Sequence, residues 1–421
     1  MNHSTESAGN PLSALDAVCW VMDRAVRPLD FTLIVHAAQA PGIERLRAGA
    51  GSARNRYPVS ASSTDGWRWI PTAETPDELV ACSASSEAAA AAALEAFVDR
   101  PFDLRFQRPI RQLAITAAGG GAVLATRVHH AAADGASAAM WLEHQLRVAL
   151  GAIDPVLQAA PPSGPPLRMG AIDARSHRPG GRRRSVPLWH RPGRPGRERR
   201  WRTIEFACAD LVRATREGRS FTYNDLLATI ALDVAAGWNR RHGLPDSGVG
   251  LWLPVNIRRD GVSGFGNGTS RIRVHAPRPQ EAPFPARCRQ VHQQISQSMK
   301  QREWAVPSGQ PMTFLPQSLR VPLLRGYLDR PWADVGSLTF SHVDRWGGEP
   351  REFFDRVHRI ETVGPLHSRH CAAITGVTRG DRTWLTFAYD PALLTGPDVE
   401  ALAAMYGHHV GLARQELACA A

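Results

Sequence analysis

From Pro161 to Arg202 the chain is so dense in proline and glycine that neither a helix nor a paired strand is expected there. The stretch opens with PPSGPPLRMG, continues through RPGGRRRSVPLWHRPGRPGRERR, and has few apolar residues at any period. It reads as a mobile or extended connection. It cuts the chain into halves of about 160 and 220 residues, each long enough to bury its own core. The expected organisation is an N-terminal lobe over 1–160, a connector over 161–202 and a C-terminal lobe over 203–421.

Both halves mix the two hydrophobic periods. GGGAVLATRVHH reads as a strand after a glycine turn, with Leu124, Thr126, Val128 and His130 on one face and Arg127 and His129 on the other. After Gly135, ASAAMWLEHQLRVALGA has helical spacing, so the local order is strand, tight turn, helix. In the second half FTYNDLLATIALDVAAGW predicts a helix capped by Thr222 and Asp225, with Asn224 beside them. GVGLWLPVNIR and TSRIRVHA read as strands around the turn DGVSGFGNG, SLTFSHVD and TWLTFAYD as further strands, and TGPDVEAL as the start of a last helix. The fold class expected is α/β, one sandwich in each half.

Charge is concentrated in the connector. The formal net charge is +11, and residues 174–202 hold eleven arginines against one acid, Glu198, so the remainder is close to neutral. Lys300 is the only lysine, so arginine abundance by itself follows composition rather than function. Three readings of 174–202 stand: a solvated crossover, a contact for an acidic carrier protein or anionic membrane surface, or a nucleic-acid contact. Nucleic acid fits least, because only Trp189 and Trp201 interleave the arginines and no nucleic-acid module surrounds them. The six cysteines are scattered without a CxxC or a zinc-ligand spacing, which reads as reduced thiols in a cytoplasmic protein without a metal. The N-terminal MNHSTESAGNPLSALD has neither the basic nor the apolar region of a signal peptide, and no apolar run is long enough to span a bilayer.

The chemistry-bearing stretch is RVHHAAADGAS, Arg127–Ser137. His130 ends the strand, which aims its ring off the sheet edge. With an unperturbed pKa of about 6.5, a neutral imidazole there can take the proton from a hydroxyl or amine as it attacks an acyl carbon. Such a base contributes about 10²–10⁴-fold in rate. Asp134 lies across the turn, where it is expected to fix the loop through backbone N–H groups or an arginine. Gly135 permits a positive φ or close approach of a ligand, and Ala131–Ala133 leave room beside the base. These make His130, Asp134 and Gly135 the catalytic set. Asn267, Ser270 and Ser341 are candidate donors to an oxyanion or a pantetheine arm, and form the substrate-binding set with His129. His408-His409, in MYGHHVGLAR, lacks the Asp-Gly and reads as an exposed face of the last helix. No GxSxG elbow, P-loop or GxGxxG occurs, so the acyl group is expected to pass directly, without an acyl-enzyme.

HHxxxDG is the signature of the superfamily of chloramphenicol acetyltransferase, nonribosomal peptide condensation domains, polyketide-associated acyltransferases and bacterial wax ester synthase/diacylglycerol acyltransferases. This chain resembles that superfamily over about residues 11–410. PLSALDAVCWVMD resembles the N-terminal motif, with Ser13 and Asp16, and FVDRPFDLRFQRPIR the PFDL entry to a strand. TYNDLLATIA, LPVNIR and GFGNGTSRIRV are similar to later motifs of the wax synthase branch. The resemblance implies two chloramphenicol acetyltransferase-like α/β sandwich lobes forming a V with a central tunnel that reaches His130 from both faces. It also implies His130 as base, His129 as structural and Asp134 as the residue that orients the loop. Condensation domains usually carry an arginine for the motif aspartate where this chain has Val18, so Asp134 needs another partner, Arg258 or Arg111. The family's DFGWG-type latch is only GFGNG, and SNV is replaced by Ser341-His342-Val343.

The function expected is acyl transfer from a CoA or carrier-protein thioester to a hydroxyl or amine, in lipid or natural-product biosynthesis. No tightly bound cofactor is implied; acyl-CoA or a phosphopantetheine-linked donor is a substrate. The alternative is a member of the fold that binds carrier-tethered intermediates with repurposed or no chemistry. A third is a basic membrane- or nucleic-acid-binding protein that retains the fold.

Overall fold

The computed structural model describes residues 9–73, 78–117, 120–152, 185–216, 220–258, 264–278, 281–301, 314–328, 336–343, 350–367 and 369–419. The first half runs β1 (Asn10–Pro11), α1 (Ala14–Ala25), β2 (Asp30–Ala37), α2 (Ile43–Arg56), β3 (Ser62–Thr64), β4 (Arg68–Pro71), β5 (Leu79–Ala84), α3 (Glu87–Asp99), β6 (Ile110–Ala117), β7 (Ala122–His129) and α4 (Gly135–Ala149). The second begins β8 (Arg200–Ala207), α5 (Ala209–Arg216), α6 (Tyr223–Arg241), β9 (Gly250–Asn256), β10 (Thr269–His275), α7 (Phe284–Lys300) and α8 (Gln317–Leu328). It ends with β11 (Leu338–Val343), α9 (Arg351–Phe354), β12 (Val357–Val363), β13 (Ala372–Arg379), β14 (Arg382–Tyr389) and α10 (Gly396–Cys419).

Two mixed sheets organise these elements, as the two periods required. One is five-stranded, in the order β12-β2-β7-β6-β5, and the other six-stranded, in the order β10-β9-β11-β13-β14-β8; β1, β4 and β3 form a small third sheet. One face of the five-stranded sheet, with Phe31, Leu33, Leu124 and Val128, packs on α2 and α4, where Trp141 is 1% exposed. Its other face, with Ile34, Leu113, Ile115 and Ala125, packs on α3 and on Val363, Leu366, Ala373 and Ala388 of the second half. The six-stranded sheet turns Leu251, Leu253, Ile272, Val274, Leu338 and Phe340 toward α6, α7 and α10. The period of two therefore turns Trp252, Arg271, Thr339 and Ser341 to the opposite face, toward the N-terminal lobe. Helix α6 is apolar nearly all round and is accordingly buried in the second core. Its Thr222–Asp225 capping box is formed, with Thr222 N donating to the Asp225 carboxylate at 2.7 Å and Asp225 N to Thr222 Oγ1 at 3.2 Å.

The lobes are not the two contiguous halves. Strand β12 leaves the C-terminal half and pairs antiparallel with β2 along Val363↔Thr32 to Val357↔Ala37, which covers an edge of the N-terminal sheet. Of the expected connector, residues 161–184 lie outside the described residues. From Ser185 onward the chain is packed at some points and exposed at others, residues 191–195, 197 and 198 being exposed. Leu188 is 2% exposed in the C-terminal core, Trp189 stacks on His242 at 3.8 Å, and β8 begins at Arg200. Proline and glycine forbid a regular ladder there but not close packing of an extended chain.

Two arginines at the end of this segment, Arg199 and Arg200, have internal partners. Arg199 and Arg127 together clasp the fully buried Asp30; burial alone would raise its carboxyl, but the two guanidinium groups hold it far below the carboxylate range. Arg200 pairs with Asp99 at 2.6 Å. A second buried pair between the lobes joins Arg27 to Asp390. Among the described residues no helix is long and apolar enough to cross a membrane.

Candidate active site

The site begins where β7 stops. His129 N donates to Pro109 O and His130 N to Leu29 O, each at 2.9 Å, so the backbone stays anchored to both flanking segments to its last residue. The chain then turns, with Ala132 N on His129 O at 3.0 Å, and enters α4 at Gly135. The His130 ring lies half-buried against Phe31, with centroids 4.8 Å apart, and makes no hydrogen bond of its own among the described residues. Burial pushes its pKa down to about 4; the Asp134 carboxylate pulls it back up and His129 pushes it further down. At neutral pH it is an uncharged imidazole with both ring nitrogens unengaged.

His129 points the other way and is 1% exposed. Its Nδ1 accepts from Ala131 N at 3.1 Å, which leaves the proton on Nε2, 3.4 Å from Asp23 Oδ1. An enclosed ring with both nitrogens engaged cannot bind substrate, so His129 leaves the substrate-binding set and holds the turn. Ala131, Ala132 and Ala133 are at most 1% exposed and pack into the cores, so they do not provide the room expected beside the base.

Asp134 is the N-cap of α4, its side chain accepting from Ser137 N at 3.0 Å. Its remaining acceptor capacity is taken by the other lobe. Arg258 grips it with two bonds of 2.6 and 2.9 Å, and Gly268 N and Thr269 Oγ1 donate at 2.9 and 2.7 Å. Arg258, rather than Arg111, thus replaces the arginine absent at Val18; Arg111 instead donates to Pro101 O and Gln107. The fork also reaches Ser137 Oγ and Gly266 O at 2.8 and 2.9 Å. It packs so closely on Gly268 that an added Cβ would lie 2.6 Å from the guanidinium carbon, which only glycine permits. Burial raises the Asp134 carboxyl, but the bonds and charge of Arg258 outweigh it and the carboxyl stays below the usual range. Asp134 thus holds the loop through a backbone N–H and an arginine.

The remaining expected residues divide. Asn267 Nδ2 donates to the His130 carbonyl at 2.9 Å and to Cys19 Sγ at 3.3 Å, so its donors hold the His130 backbone rather than await an oxyanion; its Oδ1 is buried without a partner among the described residues. Ser270 shares the inward face of β10 with Ile272 and Val274 and is 7% exposed, which removes it from substrate. Ser341 lies half-buried on the face that meets the N-terminal lobe, beside Thr375 in register. Asn224 and Asp225 sit in the first turn of α6, and His408 and His409 lie on α10 away from this site.

Gly135 does not have a positive φ, and an added Cβ would meet no atom within 4 Å. Of the two expectations for Gly135, the positive φ is not met: the turn is made by the alanines and Asp134, and Gly135 is the first helical residue. Gly135→Ala is therefore expected to leave the chain as stable or up to about 1 kcal/mol more stable. A urea titration checks this, and a loss of stability would contradict it.

Several residues of the site were not anticipated. Thr269 and Arg271 follow from the same alternation once Ile272 and Val274 are taken as the inward face. Arg271 lies over the Trp252 ring at 4.1 Å, and Trp252 meets the His367 ring edge to face at 4.9 Å. His367 lies in the coil between β12 and β13, where no periodicity marks it.

No protein-family model matches the chain, and no curated protein matches it. Solved structures do. The first condensation domain of the calcium-dependent antibiotic synthetase, in complex with a substrate analogue, superposes with a TM-score of 0.71 at 16% identity, covering 98% of this chain and 97% of that chain. The chain has the condensation-domain fold. The same fold is seen in the starter condensation domain of rhizomide synthetase in complex with C8-CoA, with a TM-score of 0.68 at 15% identity over 98% of this chain and 95% of that one. It recurs in the condensation domain of the Monacolin K polyketide synthase, with a TM-score of 0.69 at 12% identity over 97% and 96%. The two-lobed condensation fold is what sets β7 and its turn against β10 and the 264–268 loop.

Proposed function

We propose that this protein is an acyltransferase in which His130 serves as general base. The observation that carries the reading is a neutral imidazole with no internal partner among the described residues, whose backbone is held at its N–H by Leu29, at its carbonyl by Asn267, and beyond the turn by the Asp134–Arg258 clamp. In the reaction proposed, a hydroxyl or amine attacks the carbonyl carbon of a thioester while His130 takes its proton. The tetrahedral intermediate then expels the thiolate, which recovers the proton, leaving an ester or amide and a free thiol. The Asp134 carboxylate stabilises the transient imidazolium without touching it. Direct transfer is favoured because Cys19, the thiol beside Asn267, is buried and pushed up to about 12, and Ser137 Oγ is engaged in the clamp.

The donor is proposed to be acyl-CoA or an acyl carrier protein, and the acceptor a small alcohol or amine in natural-product or lipid biosynthesis. The solved rhizomide synthetase domain with C8-CoA, which shares this fold, supports a thioester donor. Intact-mass assays with matched acyl-CoA and acyl-carrier donors against alcohol and amine acceptors test the proposal. Turnover is expected with at least one donor class. Turnover with neither would overturn acyl transfer in favour of a protein that only binds carrier-tethered intermediates.

A further inference from the structure

A second imidazole stands near the His130 end of β7 with an unsatisfied nitrogen. His367 Nδ1 is buried and has no hydrogen-bond partner among the described residues, an arrangement that costs stability unless something else fills it. The turn that carries it is built onto the N-terminal lobe. Arg27 lies two residues before Leu29, whose carbonyl receives the His130 N–H at 2.9 Å. The Arg27 guanidinium donates to His370 O at 2.8 Å, and His370 N closes the turn on His367 O at 3.0 Å. Leu366, next in the chain, is seated among Ile34, Leu113 and Val123 of the N-terminal sheet. The His367 ring is fixed edge to face between Trp252 at 4.9 Å and His370 at 5.6 Å, and His370 is itself held by Thr339 Oγ1 at 3.1 Å. The ring is thus rigid, on an apolar and aromatic support, and is tied through Trp252 and Arg271 to β10, whose first residue, Thr269, bonds Asp134 at the end of the His130 turn.

We propose that His367 contacts the acceptor substrate: its Nδ1 hydrogen-bonds the nucleophilic hydroxyl or amine and holds it toward His130. This rests on the acyl-transfer reading above and adds a residue of the second lobe to it. Burial, with His370, Arg271, His130 and Arg27 nearby, keeps His367 uncharged; its Nδ1 donates to the second lone pair of a hydroxyl, or accepts the second N–H of an amine, and so leaves the proton that is removed to His130. A neutral ring also suits an acceptor rather than the anionic end of a CoA or carrier donor.

His367→Leu is expected to raise the KM of the acceptor about tenfold while the KM of the donor stays within about twofold, the loss of one hydrogen bond. His367→Asn, whose amide falls near the position of Nδ1, is expected to recover most of that loss. Equal changes in both KM values, or none, would overturn the assignment. A second readout needs no turnover. On adding n-butanol or n-butylamine to the resting protein, the ring resonances of His367 and His130 are expected to move together. A His367 resonance that stays in place at the highest probe concentration overturns the assignment, whatever the transfer assay shows. Failure of the wild type to transfer with any donor overturns the acyl-transfer reading instead.

Discussion

His130→Ala is expected to lower the rate of acyl transfer by about 10²–10⁴-fold while the protein remains folded. The two halves of that expectation have separate causes. The ring is half-buried on Phe31 but bonds to nothing among the described residues, so its removal orphans no polar group there and costs only packing. The turn itself is held through the backbone of His130 and through Asp134, both of which the variant keeps. The loss then falls on the chemical step, where the nucleophile has no acceptor for its proton. Single-turnover intact-mass measurement with the preferred donor reads it directly. A variant as fast as wild type would remove the base from the mechanism.

The second large effect lies in the clamp. Arg258→Leu is expected to destabilise the fold by about 3–5 kcal/mol, because it leaves a wholly buried carboxylate with only Ser137, Gly268 and Thr269 as partners. Asp134→Asn should cost a comparable amount by orphaning the guanidinium. A double-mutant cycle should return a coupling of about 2 kcal/mol, since both residues act as one contact. The pH dependence has a definite sign. The folded-state pKa of Asp134 is depressed, so its contribution is present above the ordinary carboxylate pKa of about 3.8 and is lost as pH falls through the lower folded value. The gap between wild type and Arg258→Leu in urea midpoint should therefore be full at pH 7 and narrow below about pH 4. A constant gap would mean that the arginine stabilises by packing alone.

Much of the first site element was legible because it is local. Alternation, an Asp-Gly turn and a 3.6-residue period fall within Gly119–Gly151, and they specify β7, the turn and α4 without outside information. The clamp was only half legible. The missing arginine at Val18 showed that Asp134 needed a cation, but Arg258 is 124 residues away and nothing in the sequence separates it from Arg111. Ser270 failed on parity: its strand was identified, yet which face turned inward was decided by Ile272 and Val274 packing on the second core. Strand β12 was not identified in the sequence, and even its alternation would not say which sheet edge it covers. His367 carries no period at all and is placed only by the lobe contacts of Leu366 and His370.

The central claim, that an uncharged His130 takes the proton, is tested most directly by the pH dependence of kcat/KM with an alcohol acceptor, which has no ionisation of its own in the range. This parameter reports the free protein's essential base, whose active form is the neutral ring. Because burial holds His130 down at about 4, kcat/KM is expected to stay level from pH 8 to about pH 5 and to fall with a midpoint near 4. A fall centred near 6.5, the value of an unburied imidazole, would contradict the account.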